Sequence, residues 1–222
     1  DMPNSITLDT LNFYFIPNPS RGSIDEHLES SIEKTPFSYK TLCTPIQVHS
    51  STVIWADKPG RYDKCDGIVT NTSNNLVLTL STADCIPVAL SDNQTGNFAL
   101  VHAGWRGVVG EVVNKSIELM IEMGSMVGDI SCFFGSCISQ EMYPVDYDVA
   151  SKFSDQYYYK KEKKYFLDIR GQVISDIISI GILDDKISYS SDCTYKNKKM
   201  CSYRRDGDRA GRNIMLMGQR SD

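Results

Sequence analysis

The stretch that decides the fold class runs from residue 76 to residue 124 and reads LVLTLSTADCIPVALSDNQTGNFALVHAGWRGVVGEVVNKSIELMIEMG. Its first part has three apolar runs, at residues 76–80, 86–90 and 98–102, which are rich in β-branched or aromatic residues. Because turn-forming residues bound these runs, they predict strands. After Val108 the apolar residues recur at helical spacing as far as Ile121, and Gly124 is a typical helix stop. A change from strand to helix within one stretch indicates an α/β protein.

The same patterns continue on both sides of this stretch. Residues 169–180 predict a second buried helix, and residues 160–164, which are mostly lysine, predict a solvated turn. Connections are short and no internal repeat is present, so we expect one α/β domain over residues 1–222. The further predicted strands are residues 11–16, 46–49, 52–55, 67–70, 130–134 and 186–190.

Composition limits the classes of function. The net charge of −5 argues against a general nucleic-acid binder, because affinity for phosphate backbones needs clustered positive charge. No apolar stretch is long enough to cross a bilayer, and the first residues lack the pattern of an export signal. The seven cysteines are an odd number without paired spacing, which indicates free thiols in a reducing compartment. We therefore expect a cytoplasmic protein that does not bind membranes, and a monomer.

Two of the three histidines fall where a site is expected. His49 and His102 each end a predicted strand, whereas His27 lies in a polar helix-like segment and is predicted to be on the surface. Cys85 lies between two strands, directly after Asp84. A thiolate and two imidazoles suit tetrahedral zinc with one open position. In the alternative interpretation Cys85 is a buried thiol and both histidines have backbone partners. Spacing alone favours that alternative, since it matches no local zinc pattern.

Two segments are candidates for binding an anion. Arg106 lies in a glycine-containing turn between a strand and a helix, where free N–H groups and a guanidinium suit phosphate. The alternative is a plain turn in which Arg106 pairs with an acid. Arginines are also concentrated between residues 202 and 212, which indicates either an anion-binding loop or a solvated one. Those arginines are Arg204, Arg205, Arg209 and Arg212.

Taken together, six segments resemble one known family, the YfiH/laccase-domain family. Its members are called multicopper polyphenol oxidoreductases and zinc-dependent purine nucleoside phosphorylases. The resemblance covers nearly the whole chain after Thr41, and HAGWRG with the upstream TADC and the downstream SYRRDG is very specific. The segments are QVH at 47–49, DGIVT at 66–70, TADCIPV at 82–88, HAGWRG at 102–107, CT at 193–194 and SYRRDG with GR between 202 and 212.

The resemblance implies a single mixed domain with central β-sheets flanked by helices. It also implies that His49, Cys85 and His102 bind one metal ion, zinc or alternatively copper. The implied activity is phosphorolysis of adenosine, inosine or guanosine to the free base and ribose 1-phosphate. Methylthioadenosine cleavage and adenosine deamination are also ascribed to members. The sequence departs from the family pattern at residues 135–140, at Ser50 and at Ala210.

For phosphorolysis we expect Arg106, with Arg204, Arg205 and Arg212, to bind phosphate, and Asp84 to carry a proton or to support the metal ligands. Three other functions stay open at this point. One is a copper-dependent phenol oxidase, and another is a metal-free cysteine hydrolase with Cys85 as the nucleophile. The last is a binding protein with a purely structural metal, against which the open coordination position argues.

Overall fold

The computed structural model describes residues 4–219, which form two six-stranded sheets, one three-stranded sheet and six α-helices. The strands are β1 (Asn4–Leu8), β2 (Leu11–Asn18), β3 (Leu42–Pro45), β4 (Val53–Trp55), β5 (Gly60–Tyr62), β6 (Gly67–Asn71), β7 (Val77–Thr82), β8 (Ile86–Asp92), β9 (Asn97–Ala103), β10 (Ile130–Phe134), β11 (Pro144–Val145), β12 (Tyr158–Lys161), β13 (Lys164–Leu167), β14 (Ile187–Tyr189) and β15 (Arg212–Gln219). The helices are α1 (Ile24–Ile32), α2 (Trp105–Val109), α3 (Val112–Glu122), α4 (Tyr147–Ala150), α5 (Ile169–Ser179) and α6 (Tyr203–Asp206). None of these helices combines the length and the apolar character that a membrane span requires.

The strand order differs from the chain order in both large sheets. The first sheet has the order β1-β2-β15-β7-β3-β5, so the strand nearest the C-terminus lies in its middle. The second sheet has the order β14-β10-β8-β9-β6-β4, and the small sheet has the order β11-β13-β12. Because β15 pairs with both β2 and β7, it joins the two ends of the chain in one sheet.

The two large sheets pack face to face, and the alternation of side chains along each strand divides the apolar residues between separate cores. On the second sheet, Ile68 and Leu100 point into the core between the sheets. Their neighbours Val69 and Val101 point to the opposite face, where α3 and α5 cover them. Burial of both faces explains why these strands are almost uninterruptedly apolar in sequence.

Helices cover the outer faces of both sheets. Leu28 of α1 packs with Ile214 and Leu216 on the outer face of the first sheet. Ile117 of α3 and Ile177 of α5 belong to the core on the outer face of the second sheet. The layers are therefore helix, sheet, sheet and helix, which confirms the predicted mixed α/β fold with central sheets flanked by helices.

Most predicted elements are present with shifts of one or two residues, and three predictions were wrong. Residues 46–49 are a loop, because the strand ends earlier, at Pro45. The predicted helix from Val108 to Ile121 is broken between Val109 and Val112, since Glu111 adopts a left-handed conformation with φ of 63°. A Cβ at Gly110, inside the break, would lie 2.7 Å from the Ser51 side chain, so the close approach of that loop requires glycine.

The third wrong prediction concerns His27, which is buried and not on the surface. It lies on the inner face of α1, beside the buried Leu28, and only 3% of its surface is exposed. Its Nε2 lies 3.1 Å from the carbonyl oxygen of Ser20. The polar neighbours that predicted a surface position occupy the other face of the helix.

The lysine-rich segment at residues 160–164 is a β-hairpin. Lys160 and Lys161 end β12, and Lys164 begins β13. The turn itself is Glu162 and Lys163, with Glu162 at a φ of 55°. The predicted turn is therefore present but shorter than the charged run.

Candidate metal centre

Two loops and the end of a strand, at one end of the β-sandwich, bring His49, Cys85 and His102 together. His49 lies in the loop after β3, Cys85 in the connection between β7 and β8, and His102 near the end of β9. One donor atom from each residue lies within 4.8 Å of the other two, so the group can bind a single metal ion. It is the one cluster of three or more such side chains between residues 4 and 219. The expected convergence of these residues is present, although His49 does not end a strand.

The carboxylate of Asp66 organises the two histidines of this cluster. Its Oδ1 accepts hydrogen bonds from the His49 backbone N–H at 3.0 Å and from Nδ1 of His102 at 2.8 Å. Its Oδ2 accepts the backbone N–H groups of Val48 and Ser50, at 3.2 and 2.7 Å. These contacts use N–H groups that a strand would have paired, which explains why residues 46–49 form a loop. They also support the left-handed conformation of His49, whose φ is 58°.

The same contact selects the tautomer of His102. Because Nδ1 keeps its proton for Asp66, Nε2 is the nitrogen that faces Cys85 and that would bind a metal ion after giving up its proton. Burial alone would lower the pKa of His102, but Asp66 and Cys85 outweigh it and raise that pKa to about 9. For Cys85, burial would raise the thiol pKa, but hydrogen bonds with His102 and His49 lower it to about 6. Thiolate is the form of cysteine that binds metal ions.

Gly104 leaves the space that the cluster needs. A Cβ at this position would lie 3.0 Å from Sγ of Cys85 and 3.1 Å from Cδ2 of His49. Both distances are shorter than most Cβ contacts in proteins, so a larger residue would press against two of the candidate ligands. The glycine of the HAGWRG segment is therefore explained by the neighbouring ligands.

Asp84 stabilises the connection between β7 and β8 that carries Cys85 (the Cys85 loop). It has a φ of 96° and is buried. Its Oδ1 accepts the hydroxyl of Thr194 at 2.6 Å, and its Oδ2 accepts the backbone N–H of Arg204 at 2.7 Å. Both carboxylate oxygens thus connect the Cys85 loop to the C-terminal segment. This geometry fits the supporting role expected for Asp84 better than that of a proton carrier.

A cavity of about 610 Å³ opens directly onto the three candidate ligands. Three of the arginines that the sequence suggests, Arg106, Arg204 and Arg212, line it, and so does Arg61. The guanidinium of Arg106 lies 4.3 Å above the ring of Trp105 and has no hydrogen-bond partner among residues 4–219. Arg106 therefore offers a free cationic group to an anion inside the cavity.

Arg205 does not line this cavity. Its guanidinium donates to the carbonyl oxygens of Thr194, Tyr195 and Met200 and forms an ion pair with Asp206. All of these acceptors belong to the C-terminal segment. The role of Arg205 visible in the structure is therefore to fix the fold of that segment.

Part of the cavity wall is apolar, and sequence reasoning did not identify it. Ile138, Tyr143 and Ile169 line this wall. Tyr143 follows a short 3₁₀ turn and packs against the core that contains Ile169. Burial is the largest cause that raises the pKa of the Tyr143 phenol above its usual range. Within residues 135–140, Ile138 keeps the isoleucine of the family pattern and belongs to this wall, whereas the residues that depart from the pattern, Ser136, Ser139 and Gln140, do not line the cavity.

Comparison with known proteins identifies the family and agrees with the fold. Residues 5–220 match the family model described as multi-copper polyphenol oxidoreductase laccase. The chain belongs to this family. The match confirms the family inferred from the sequence motifs, and it includes all three candidate metal ligands.

The relatives within the family carry two kinds of name. A purine nucleoside phosphorylase of Deinococcus radiodurans is 32% identical over 176 residues, which cover 78% of this chain and 68% of that protein. A protein named adenosine deaminase RL5, from an unknown prokaryotic organism, is 28% identical over 192 residues, covering 78% of this chain and 73% of the relative. These names indicate that the family contains enzymes that act on purine nucleosides.

Solved structures share the fold. YlmD from Geobacillus stearothermophilus superposes with a TM-score of 0.85 at 20% identity and covers 96% of this chain and 93% of its own. The YfiH protein of Bacillus licheniformis gives a TM-score of 0.82 at 23% identity, with coverages of 94% and 92%. The layered arrangement of the two sheets is therefore that of YfiH-like proteins.

Proposed function

We propose that this protein is a zinc-dependent purine nucleoside phosphorylase. It cleaves adenosine, inosine or guanosine with phosphate to the free base and ribose 1-phosphate. The observation that carries the proposal is the composition of one cavity, where a His-Cys-His cluster, a free guanidinium and an apolar wall meet. A nucleoside needs the apolar wall for its base, and phosphate needs the cation.

The residues of the cluster fit zinc. One thiolate and two neutral imidazoles form a usual ligand set, and the open side of the cluster faces the cavity. When bound, zinc would supply Lewis-acid polarisation of a substrate oxygen or of the base. Cys85 and His102 would lose their exchangeable protons on binding it, while Asp66 keeps Nδ1 of His102 protonated.

The arginines of the cavity would bind and orient the phosphate. In the reaction, a phosphate oxygen forms a bond to C1′ of the ribose while the bond from C1′ to the purine nitrogen breaks, and the bonding electrons leave with the base. Arg106 is the best-placed group to bind phosphate, because its guanidinium has no protein partner. Arg204 and Arg212 line the same cavity but also donate to backbone carbonyls. Asp84 positions Arg204 by accepting a hydrogen bond from the backbone N–H of Arg204.

The relative named adenosine deaminase supports deamination of adenosine as a second activity of the same cavity. A multicopper phenol oxidase is less well supported. It requires several copper sites, whereas the described part of the chain has one cluster and the whole chain has three histidines. A cysteine hydrolase would need a base beside Cys85, and both nearby imidazoles fit that role. Removal of the metal distinguishes that reaction from the proposed phosphorolysis, because only the phosphorolysis requires zinc.

The test is product analysis with metal-loaded protein, adenosine and inosine, at several phosphate concentrations. We expect free base and ribose 1-phosphate in equal amounts, in proportion to phosphate occupancy. Cys85→Ala should lose both the zinc and the activity, whereas the matched variant Cys65→Ala, at a buried thiol outside the cavity, should keep both. Base release that is independent of phosphate would contradict the proposal, as would full activity of the metal-free protein.

A further inference from the structure

Most polar groups that line the cavity are already committed to protein partners. The side-chain amide of Gln47 binds the backbone and hydroxyl of Ser81. Both oxygens of Asp84 are used, and the hydroxyl of Tyr203 donates to Asp208 at 3.1 Å. The hydroxyl of Thr82 has no partner but is completely covered by protein atoms. These groups are therefore not available to bind a substrate.

The phenolic hydroxyl of Tyr143 is different. Tyr143 lines the cavity, and its hydroxyl has no hydrogen-bond partner among residues 4–219. The ring is fixed in place, because the guanidinium carbon of Arg204 lies 5.2 Å from its centroid and Arg204 also donates to the next carbonyl, that of Pro144, at 2.7 Å. A fixed ring with an uncommitted hydroxyl is a preorganised hydrogen-bond donor.

The surroundings of Tyr143 indicate which part of a substrate it meets. Ile138 and Ile169, which line the same part of the cavity, are apolar and buried, and the guanidinium of Arg204 lies over the Tyr143 ring. A flat purine can pack against these two apolar side chains, which offer phosphate no hydrogen-bond donor. A base packed there would present its polar edge to the hydroxyl.

On the basis of the proposed phosphorolysis, we propose that Tyr143 is a catalytic residue whose hydroxyl donates to N7 of the departing purine. In the step, the bond from C1′ to N9 breaks and its electrons delocalise into the purine ring. The phenolic proton moves to N7, so the base leaves as a neutral molecule. The monohydrogen phosphate gives up its proton as it becomes the ester, and through solvent this proton restores the phenol. Burial raises the pKa of the Tyr143 phenol above the ordinary value of about 10, so the hydroxyl keeps its proton at neutral pH and is available as a donor.

The experiment compares Tyr143→Phe with the wild type on two substrates, inosine and 7-methylinosine. The variant keeps the ring that packs beside Arg204 and removes only the hydroxyl. The methylated purine already carries a positive charge and leaves as a neutral base without accepting a proton at N7. We expect kcat on inosine to fall about 10- to 100-fold, the range for loss of a strong hydrogen bond to developing charge. On 7-methylinosine kcat should change less than about threefold by the same arithmetic.

The controls separate this inference from the proposed function. Tyr147→Phe removes an exposed hydroxyl outside the cavity and should behave as wild type. Zinc content and the melting temperature of Tyr143→Phe should match those of the wild type. Equal losses on both substrates, or no loss on either, would overturn the role of Tyr143 and leave phosphorolysis standing. A wild-type protein that releases no base from either substrate would instead overturn the proposed function.

Discussion

Asp66 and His102 form a buried pair in which Oδ1 of the carboxylate lies 2.8 Å from Nδ1 of the imidazole. The same carboxylate accepts three consecutive backbone N–H groups from the loop that carries His49. One side chain therefore positions two of the three candidate metal ligands. Burial alone would raise the pKa of Asp66, but its hydrogen bonds with His102 and Ser50 lower it to about 2. The carboxylate is thus ionised at neutral pH.

We expect Asp66→Asn to weaken zinc binding by about 10- to 100-fold, the usual range for loss of a group that orients a metal ligand. The amide presents an NH2 group, which can only donate, in place of one carboxylate oxygen, so it cannot satisfy all the donors around it. Competition with a chelator of known affinity measures the effect. Asp63→Asn, at an exposed position three residues earlier, is the matched control. Equal zinc affinities in the two variants would show that Asp66 does not orient the ligands.

A second prediction concerns the space beside the cluster. Gly104→Ala places a methyl group 3.0 Å from Sγ of Cys85, so we expect zinc content to fall well below one ion per chain. The fold should remain, because the change lies in a turn whose glycine has no left-handed conformation. Elemental analysis and a thermal melt measure the two effects. Gly128→Ala, which meets no atom within 4 Å, should retain both properties. Full zinc retention in Gly104→Ala would contradict the geometry of the site.

A third prediction concerns acid stability and uses Asp92, at the end of β8. The carboxylate is 1% exposed and accepts the Thr95 hydroxyl at 2.6 Å and the Gln94 backbone N–H at 2.8 Å. Burial would raise the pKa of Asp92, but these hydrogen bonds outweigh it and lower that pKa below its usual value of 3.8. A lowered pKa stabilises the fold above the unfolded-state pKa, and this stabilisation is lost as pH falls through the folded-state pKa.

Asp92→Asn should therefore destabilise the protein at pH 7, by about 1.5–3 kcal/mol for the loss of hydrogen bonds to a charged group. The difference from the wild type should shrink as the pH falls below about 4, because the unfolded wild-type chain then binds a proton that the folded carboxylate, with its lowered pKa, does not yet bind. Urea unfolding at several pH values measures this. Asp129→Asn, at a residue that lies in a 3₁₀ turn, is the control. A difference that stays constant from pH 7 to pH 3 would contradict the assignment.

The sequence predicted the strands, and the convergence of His49, Cys85 and His102, better than it predicted the loops between the strands. Strands such as β8 and β10 are short, apolar and bounded by turn residues, so local pattern is sufficient. The segment Ile46-Gln47-Val48-His49 has the same alternation. It is nevertheless a loop, because the Asp66 carboxylate, which is distant in sequence, accepts hydrogen bonds from its backbone N–H groups. A hydrogen bond between backbone N–H groups and a distant side chain is a tertiary contact, and a local sequence pattern does not predict it.

The arginine-rich segment shows the same limit. Arg204 and Arg205 are neighbours with the same chemistry, so the sequence assigns them the same role. In α6 they point in different directions, since successive helical residues are about 100° apart. Arg204 reaches the cavity, and Arg205 turns back to the carbonyl groups of its own segment. The sequence does not predict Tyr143 as a cavity residue for a related reason, because an isolated tyrosine belongs to no motif that indicates a cavity.

This difference leads to the last prediction, which compares Arg106 with Arg205. Arg106→Ala should raise the phosphate concentration for half-maximal phosphorolysis by about tenfold to a hundredfold, the effect of losing about 1.5–3 kcal/mol of charge-assisted hydrogen bonding. Its melting temperature and zinc content should not change, because the guanidinium has no protein hydrogen bond among the described residues. Arg205→Ala should lower the melting temperature instead, because it leaves carbonyl groups without their donor. Arg209→Ala, an exposed arginine outside the cavity, is the control for net charge. An unchanged phosphate requirement in Arg106→Ala, or an equal shift in Arg209→Ala, would show that Arg106 does not bind the phosphate. The proposed zinc site would not be affected by that result.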